Sequence, residues 1–377
     1  MRPRAGRRGL AAPAALLSAS LTLLACGEPA NARVDLVRLA GRTMGTTWEV
    51  LIPRASFESV AATTPETSAA PSRERELELE QRIQKELDAV NASMSTYSAD
   101  SELSRFNALR SSDWVSVSAA LASVVQTALE VGVKSRGALD VTVGPLVDAW
   151  GFGPKGRRRE PPAAAEIEAA RARCGASKLE VRLDPPALRK RQVDLEVDLS
   201  STAKGHGVDR VLVLLEGLGF KAAWVEVGGE VRAFGVKAEG VDWRVAIEAP
   251  SVLPERRVQE TLALRDLAVA TSGDYRNFFE HGGERYAHIL DPRSGWPTRN
   301  VAQASVWAKD CASADAWATA MVVLGEEAAL EVATEQGLAL LLILRDPRST
   351  ANEPRLRTVV SPTFEALRRA SSTPEDR

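Results

Sequence analysis

The sequence contains little cysteine and little histidine, with three residues of each among 377. A zinc site built from Cys and His ligands is therefore not expected, because structural zinc sites take four such side chains. Cys26 lies close to the N-terminus, which leaves Cys174 and Cys311 in the body of the chain. These two could pair in an oxidising compartment or stay reduced and buried, and the sequence does not choose between the alternatives.

Aromatic residues are also scarce, at 5% of the chain, and neither sign of charge dominates. The 48 Lys and Arg residues are balanced by 50 Asp and Glu residues, which gives a net charge of -2. A protein that binds nucleic acid needs a basic surface for phosphates and commonly stacks bases on aromatic rings. We therefore expect no nucleic-acid partner.

An apolar run over residues 10–25 follows four arginines among the first eight residues. The run is too short and too rich in Ala and Ser to predict a membrane span. It ends in Leu-Leu-Ala-Cys-Gly at 23–27, which resembles the lipobox of bacterial lipoproteins. We expect a signal peptide over 1–26, lipidation of Cys26 and a tether over 27–42. The protein would then be anchored to a membrane on the periplasmic side of the bacterial cell envelope; the alternative is an ordinary cleavable signal that contains a Cys.

The remaining pattern predicts one domain over 43–370 and a tail over 371–377. Helical periodicity predicts helices around 79–90 and over 118–136, 163–173, 203–218 and 313–324. Apolar and β-branched runs predict strands over 34–53, from 193, and over 222–227, 230–235, 243–248, 262–270, 286–290, 302–307 and 338–344. Residues 55–72 are interpreted as a flexible insertion and 154–192 as a peripheral excursion. Helices and mostly hairpin-connected strands in this order favour an α+β layered domain.

Two glycine-containing segments are candidates for binding a ligand. In the first, Asp198-Leu-Ser-Ser-Thr-Ala-Lys-Gly205 opens a helix, whose N-terminus suits a phosphate, and Lys204 adds a full positive charge. The alternative is a plain helix cap formed by a Ser or Thr of this segment. In the second, a Gly pair at 228–229 separates two strands and favours a tight hairpin, with close approach to a ligand as the weaker interpretation.

His288 lies at the end of a predicted strand and is followed by Asp291 and a turn. A histidine in such a place is suited to accept or donate a proton near neutral pH. A structural role is the more common one for a single histidine, so this position alone does not establish catalysis.

Asp315 stands in a helix that is apolar on every side, which predicts that the helix is buried. Thr319 lies four residues later and therefore on the same face. A buried carboxylate must be paired with a cation or protonated, and the nearby sequence offers no partner on that face. An oxygen-liganded Mg²⁺ is therefore a candidate, and a salt bridge from an Arg or Lys elsewhere in the fold is the alternative.

Several further motifs follow one another along the chain. They are Thr-Met-Gly-Thr-Thr at 43–47, Met-Ser-Thr-Tyr at 94–97, Asp-Ser-Glu-Leu-Ser-Arg-Phe-Asn at 100–107, Gly-Ala-Leu-Asp-Val-Thr-Val-Gly-Pro-Leu-Val at 137–147 and Trp-Gly-Phe-Gly-Pro at 150–154. Together with the segments described above, and in this order, they resemble the ApbE-type FAD:protein FMN transferases. The resemblance runs from about 43 to 325.

The resemblance implies a T-fold-like α+β protein in which FAD lies in a cleft between two layers. It implies that the flavin and adenosine diphosphate portions contact Met44, Tyr97, Ala138, Leu139, Asp140, Asp198, Lys204 and Ile289. It also implies that Mg²⁺ is held by Asp315, Thr319 and the backbone carbonyl of Ser201. His288 matches the position of the family's candidate catalytic histidine.

The implied reaction is the transfer of FMN from FAD to a Thr or Ser hydroxyl, with release of AMP. His288, or a carboxylate beside it, would take the proton of that hydroxyl. The implied partner is an acceptor flavoprotein, namely an extracytoplasmic FMN-carrying subunit of an electron-transport complex. Two alternatives stay open at this point: an FAD pyrophosphatase that gives FMN and AMP to water, and a non-catalytic flavin-binding lipoprotein.

Overall fold

A computed structural model describes residues 34–63, 72–250, 257–275, 277–346 and 355–371. The predicted signal peptide, Cys26 and most of the C-terminal tail lie outside the described residues. Among the residues that are described, no helix has the length and apolar character needed to cross a bilayer.

Strands and helices alternate irregularly along the described chain. The strands are β1 (Leu36–Thr43), β2 (Thr46–Pro53), β3 (Val115–Ser116), β4 (Leu179–Leu183), β5 (Pro186–Lys190), β6 (Ala223–Val227), β7 (Glu230–Phe234), β8 (Trp243–Glu248), β9 (Val258–Leu264), β10 (Leu267–Gly273), β11 (Phe278–His281), β12 (Glu284–Ala287), β13 (Leu290–Asp291), β14 (Trp296–Pro297), β15 (Val301–Ala308), β16 (Ala339–Arg345) and β17 (Leu356–Val360). The helices are α1 (Arg54–Thr63), α2 (Ser72–Met94), α3 (Glu102–Ala108), α4 (Ala119–Lys134), α5 (Gly144–Ala149), α6 (Ala164–Arg171), α7 (Ala203–Gly217), α8 (Cys311–Leu324), α9 (Glu326–Glu335) and α10 (Pro362–Ser371).

The central feature is an eight-stranded antiparallel sheet in the order β1-β2-β6-β7-β10-β15-β16-β17. One face packs against α2, α7, α8 and α9, and the other is covered by the β8–β9 hairpin and α10. Because both faces are buried, a central strand such as β16 reads Ala-Leu-Leu-Leu-Ile-Leu-Arg, with alternate residues in the two cores. Helices packed on an antiparallel sheet confirm the predicted α+β class.

Helix α8 lies at the centre of the helical layer, against β10, β15, α4 and α7. Its first turn is bound by a side chain of α7, because the Asp209 carboxylate accepts hydrogen bonds from the backbone N–H groups of Cys311 and Ala312. Asp310 caps the next N–H, that of Ser313, at 2.8 Å. The two helices approach so closely that a Cβ added to Gly205 would lie 2.2 Å from the carbonyl oxygen of Cys311. This contact fixes the start of α7 beside the first turn of α8.

The chain between α4 and α7, together with β3 before α4, forms a smaller assembly. Its three-stranded sheet has the order β3-β5-β4, and α5 and α6 pack on each other. A separate apolar cluster joins α5 and α6 to β12 and β13, and the Trp150 indole donates to the Gly295 carbonyl at 2.8 Å. This assembly thereby lies against the segment that carries His288.

The predicted helices are confirmed, but several other predictions differ from the structure. Residues 34–53 form the β1–β2 hairpin rather than one strand, because Met44 and Gly45 both have positive φ. β1 also begins inside the segment predicted as a tether, 27–42. Helix α1 occupies the first part of the insertion that was predicted to be flexible, 55–72. Residues 64–71 of that insertion lie outside the described residues. The strand predicted from 193 is not formed, and the strand predicted over 262–270 is divided between β9 and β10 by Asp266 at φ 50°.

The segment 154–192 is less peripheral than predicted. It contributes α6, β4 and β5, and the Lys190 side chain is buried, donating to the carbonyl oxygens of Asn107 and Leu109 at 3.0 and 2.7 Å.

The close approach of α7 and α8 predicts opposite effects of the same substitution at two glycines of α7. Gly205→Ala should destabilise the protein by about 1–3 kcal/mol or more, because its Cβ would overlap the Cys311 carbonyl. A Cβ added at Gly217 has no heavy atom within 4 Å. Gly217→Ala should therefore leave the free energy of unfolding unchanged or raise it by up to about 1 kcal/mol. Chemical denaturation of both variants measures the difference; equal stabilities would contradict the packing described for α7 and α8.

Candidate active site

Three charged side chains from three elements meet where α7 begins. Lys204 is in the first turn of α7, Asp315 in the second turn of α8, and Glu230 is the first residue of β7. The Lys204 ammonium lies 3.4 Å from both carboxylate oxygens of Asp315 and 3.3 Å from Oε1 of Glu230. The backbone N–H of Gly205 donates to Oδ2 of Asp315 at 3.1 Å. One ammonium therefore bridges two carboxylates.

This cluster has an excess of negative charge when all three groups are ionised. The side chains of Glu230 and Asp315 are 3% and 2% exposed, and Oε2 of Glu230 makes no hydrogen bond. Burial raises the pKa of Glu230 well above its ordinary value; the charge of Asp315 adds to this rise and Lys204 opposes it. Burial acts to lower the pKa of Lys204, but the two carboxylates outweigh it and raise that pKa, so the ammonium stays charged.

The burial predicted for Asp315 is confirmed, and the structure gives this carboxylate a charged partner that the nearby sequence does not offer. Its partner, Lys204, comes from another helix and lies 111 residues earlier in the chain. Asp315 therefore forms a salt bridge with a residue from elsewhere in the fold, which is the alternative that the sequence left open. Its ionisation does not by itself require a metal.

The oxygen atoms around Asp315 nevertheless suit a divalent cation. The described residues include no group of three or more His, Cys, Asp or Glu side chains that could hold a metal, so hydroxyl and carbonyl oxygens would have to contribute. Thr319 lies one turn after Asp315, and Ser201 lies in the loop that leads into α7. A carboxylate, a hydroxyl and a carbonyl are the hard oxygen ligands that Mg²⁺ prefers. The unpartnered Oε2 of Glu230 and the excess negative charge also fit an added cation.

Thr319 is oriented by a neighbouring strand. Its hydroxyl lies 3.0 Å from the hydroxyl of Ser272, near the end of β10. Beyond this strand, Asp274 accepts two hydrogen bonds from Arg345 at 2.5 and 2.6 Å. The end of β10 is therefore held in place beside α8.

His288 follows β12 and is half-buried. Its backbone N–H donates to the Asn277 carbonyl at 3.1 Å, and Nδ1 lies 3.2 Å from the same oxygen. A proton on Nδ1 satisfies this contact and leaves Nε2 free to accept a proton. Burial lowers the pKa of His288, the Asn277 carbonyl opposes this, and the positive charge of Lys204 lowers the pKa further.

Asp291, the carboxylate closest to His288 in the sequence, already has partners. It accepts from the backbone N–H and the guanidinium of Arg293 at 2.8 to 3.0 Å. His288, rather than Asp291, is therefore the group available to take a proton.

Asp198 and Thr96 line a cavity of about 220 Å³, and Tyr97, the residue after Thr96, is close enough to Asp198 for that charge to affect its pKa. The cavity is lined by Thr96, Ser104, Asn107, Ala108, Arg110, Gly144, Asp148, Pro154, Lys155, Glu196, Val197 and Asp198. The Tyr97 hydroxyl donates to the Phe152 carbonyl at 3.1 Å, while 70% of this residue stays exposed. Burial of its hydroxyl, together with the nearby carboxylates Asp198 and Asp148, raises the pKa of Tyr97. An exposed ring held by its hydroxyl is suited to stack on a planar ligand.

The other predicted flavin contacts are more dispersed. Met44 lies at the β1–β2 turn, and its Cε approaches Gly207 of α7. Ala138 and Leu139 are buried. Both oxygens of Asp140 are engaged, by Thr142 and by the backbone N–H of Ala176.

Ile289 is also buried, next to His288. The contacts with FAD predicted for Met44, Ala138, Leu139, Asp140 and Ile289 stay predictions. The hydrogen bonds of Asp140 show that its side chain orders the loop between α4 and α5.

A family model described as ApbE family matches residues 44–342, which is most of the chain. The chain belongs to the ApbE family. It is 43% identical over 329 residues to an FAD:protein FMN transferase of Vibrio cholerae, covering 87% of this chain and 92% of that protein. It is 37% identical over 360 residues to an FAD:protein FMN transferase of Escherichia coli K12, covering 94% and 96%.

Solved structures of the ApbE family agree with this assignment. The flavin transferase ApbE from Vibrio cholerae has a TM-score of 0.75 at 39% identity, over 88% of this chain and 99% of that one. The Pseudomonas stutzeri flavinyl transferase ApbE, in its apo form, has a TM-score of 0.75 at 34% identity, over 90% and 98%. These relatives confirm the predicted family, fold class and enzyme class.

Sequence reasoning did not identify Glu230 as part of this ApbE-family site. The available signal was an acidic residue that directly follows the Gly pair at 228–229 and opens an otherwise mostly apolar strand.

The sequence did not decide whether Cys174 and Cys311 form a disulfide; in the structure both are free and buried. Burial raises the pKa of the Cys174 thiol to about 12, so it is an unreactive group.

The environment of His288 predicts that its imidazole titrates below the ordinary histidine value of about 6.5. A lowered pKa means that the neutral ring predominates throughout neutral pH. NMR titration of the ring protons, assigned with the His288→Gln variant, measures this value. A midpoint at or above 6.5 would contradict the described burial of the ring.

Proposed function

We propose that this protein is a Mg²⁺-dependent flavin transferase that cleaves FAD and attaches FMN, through a phosphoester bond, to a Thr or Ser of an acceptor flavoprotein. AMP is the second product. Transfer of FMN as such is supported by the names of the relatives, FAD:protein FMN transferase. The observation that carries the finer proposal is the pairing of Lys204 with the buried carboxylates of Asp315 and Glu230 beside the start of α7. His288 lies close enough for the charge of Lys204 to affect its pKa.

The start of α7 is suited to the diphosphate of FAD. Thr202 precedes the helix, and its side chain makes no capping hydrogen bond. Two of the first three N–H groups of the helix already donate, that of Ala203 to the Leu199 carbonyl and that of Gly205 to Asp315. The helix dipole still attracts an anion to this end of the helix. Lys204 adds a full positive charge in the same turn. The diphosphate would therefore lie against this turn, with Asp198 and Ile289 at its sides.

Asp315, Thr319 and the Ser201 carbonyl would hold the cation. When bound, Mg²⁺ supplies charge neutralisation for the departing phosphate of AMP. Asp315 is kept in position for this role by the Gly205 N–H, and Thr319 by the Ser272 hydroxyl.

His288 would take the proton from the acceptor hydroxyl through Nε2. The hydroxyl oxygen then forms a bond to the phosphorus of the FMN portion, and the bond from that phosphorus to the bridging oxygen breaks. AMP leaves with the bridging oxygen. The neutral imidazole required at the start is the form that the lowered pKa of His288 favours.

Incubation of the protein with FAD, Mg²⁺ and a recombinant acceptor domain tests the proposal. We expect the mass of the acceptor to increase by one FMN for each AMP released. Free FMN without a gain in acceptor mass would instead identify an FAD pyrophosphatase. Bound FAD with no AMP would identify a non-catalytic binding protein.

Asp315→Asn should lower the rate of AMP release by at least about 100-fold, because a metal ion contributes several kcal/mol to transition-state stabilisation. Asp310→Asn is the matched control on the same helix. Asp310 is the N-cap of α8, and Asn serves equally well there, so this variant should keep its activity. Full activity of Asp315→Asn in a folded protein would reject the metal assignment.

We also propose that the protein is lipidated at Cys26 and anchored on the periplasmic side of the cell envelope, where extracytoplasmic FMN-carrying subunits of electron-transport complexes would be its acceptors. The basic and apolar pattern before Cys26 supports this. Cys26→Ser should abolish incorporation of labelled palmitate in bacterial cells and release the protein from membranes, whereas Cys174→Ser should not. Equal labelling of Cys26→Ser and the parent would refute the anchor.

A further inference from the structure

Lys204 occupies an intermediate position between two buried carboxylates. Its ammonium is 3.3 Å from Oε1 of Glu230 and 3.4 Å from each oxygen of Asp315. Asp315 has a second partner in the Gly205 N–H, but Oε2 of Glu230 has none. Glu230 therefore has spare capacity to accept a hydrogen bond from the ammonium.

A divalent cation on Asp315 would change this balance. Mg²⁺ lies about 2.0–2.1 Å from its oxygen ligands, so it would approach the same carboxylate that Lys204 contacts. Two cations on one buried carboxylate repel each other strongly, because the local dielectric constant is low. Lys204 then needs another anion, and Glu230 is the carboxylate already within reach.

The hairpin that carries Glu230 is built against Lys204. Gly228 precedes β7 with φ 64°, and a Cβ at this position would lie 3.3 Å from Cδ of Lys204. The turn therefore brings its backbone close to the lysine stem and directs the first residue of β7 to the ammonium.

We infer that Glu230 is a positioning residue that holds Lys204 beside the cation when Asp315 coordinates it. This inference rests on the proposed metal-dependent function. With the cation present, the three side chains and the metal carry a net charge of +1, since two carboxylates oppose one ammonium and a divalent ion. A positive site of this kind complements the diphosphate of FAD.

Binding of Mn²⁺ alone, measured by electron paramagnetic resonance without FAD, tests the inference. Glu230→Gln should weaken Mn²⁺ binding at least about tenfold, a loss typical of removing an outer-sphere partner of a metal ligand. The reason is that Lys204 would retain Asp315 as its anion and compete with the ion. Glu230→Asp, which keeps the charge, should restore most of the affinity.

Glu226→Gln is the matched control. Glu226 lies on the preceding strand of the same hairpin, and its carboxylate is also buried. Its loss should change stability without a comparable loss of Mn²⁺ binding. Thermal unfolding of each variant shows separately whether the protein is folded.

A double-mutant cycle distinguishes action through Lys204 from direct action on the ion. In a Lys204→Gln background, Glu230→Gln should have little further effect on Mn²⁺ binding. An undiminished effect would overturn the inference, because Glu230 would then act without Lys204. If the parent protein binds Mn²⁺ and Glu230→Gln binds it equally well, the inference alone fails. If the parent binds no Mn²⁺, the metal proposal fails and the inference fails with it.

Discussion

The contact on which the site depends is one ammonium shared by two buried carboxylates. Lys204 neutralises only one of the two charges that Glu230 and Asp315 carry when ionised. An unbalanced buried charge is costly, so the cluster is stable only if a proton or a further cation compensates for it. The raised pKa of Glu230 favours compensation by a proton, and the oxygen donors around Asp315 favour compensation by a cation. A site whose charge can be compensated by either a proton or a further cation is suited to bind a cation together with an anionic substrate.

The rest of the fold serves to hold these three side chains together. Gly205 lets α7 approach α8, and Asp209 secures the first turn of α8 from α7. Both faces of the large sheet are covered, which fixes the helical layer on β10 and β15. The smaller assembly around Trp150 then holds the His288 segment through the Gly295 carbonyl. Stability and the geometry of the site therefore depend on the same contacts.

Local features of the site could be predicted from the sequence, and distant pairings could not. The burial of Asp315 follows from the apolar composition of its own helix, and α4, at Ala119–Lys134, follows from the periodicity that predicts a helix over 118–136. The pairing of Asp315 with Lys204 joins residues 111 positions apart, so no local pattern contains it. Glu230 was missed for the same reason. The β1–β2 turn was missed because Met44, a residue that rarely adopts positive φ, does so there.

Metal binding at Asp315 can be tested with a crystal of the protein grown with Mn²⁺ and FAD, because anomalous scattering locates the ion. We expect an anomalous peak about 2.0–2.3 Å from an oxygen of Asp315, with Thr319 in the coordination sphere and the Lys204 ammonium on Glu230. An Asp315 carboxylate still paired with Lys204, with FAD bound and no anomalous peak beside it, would show that Asp315 is not a metal ligand.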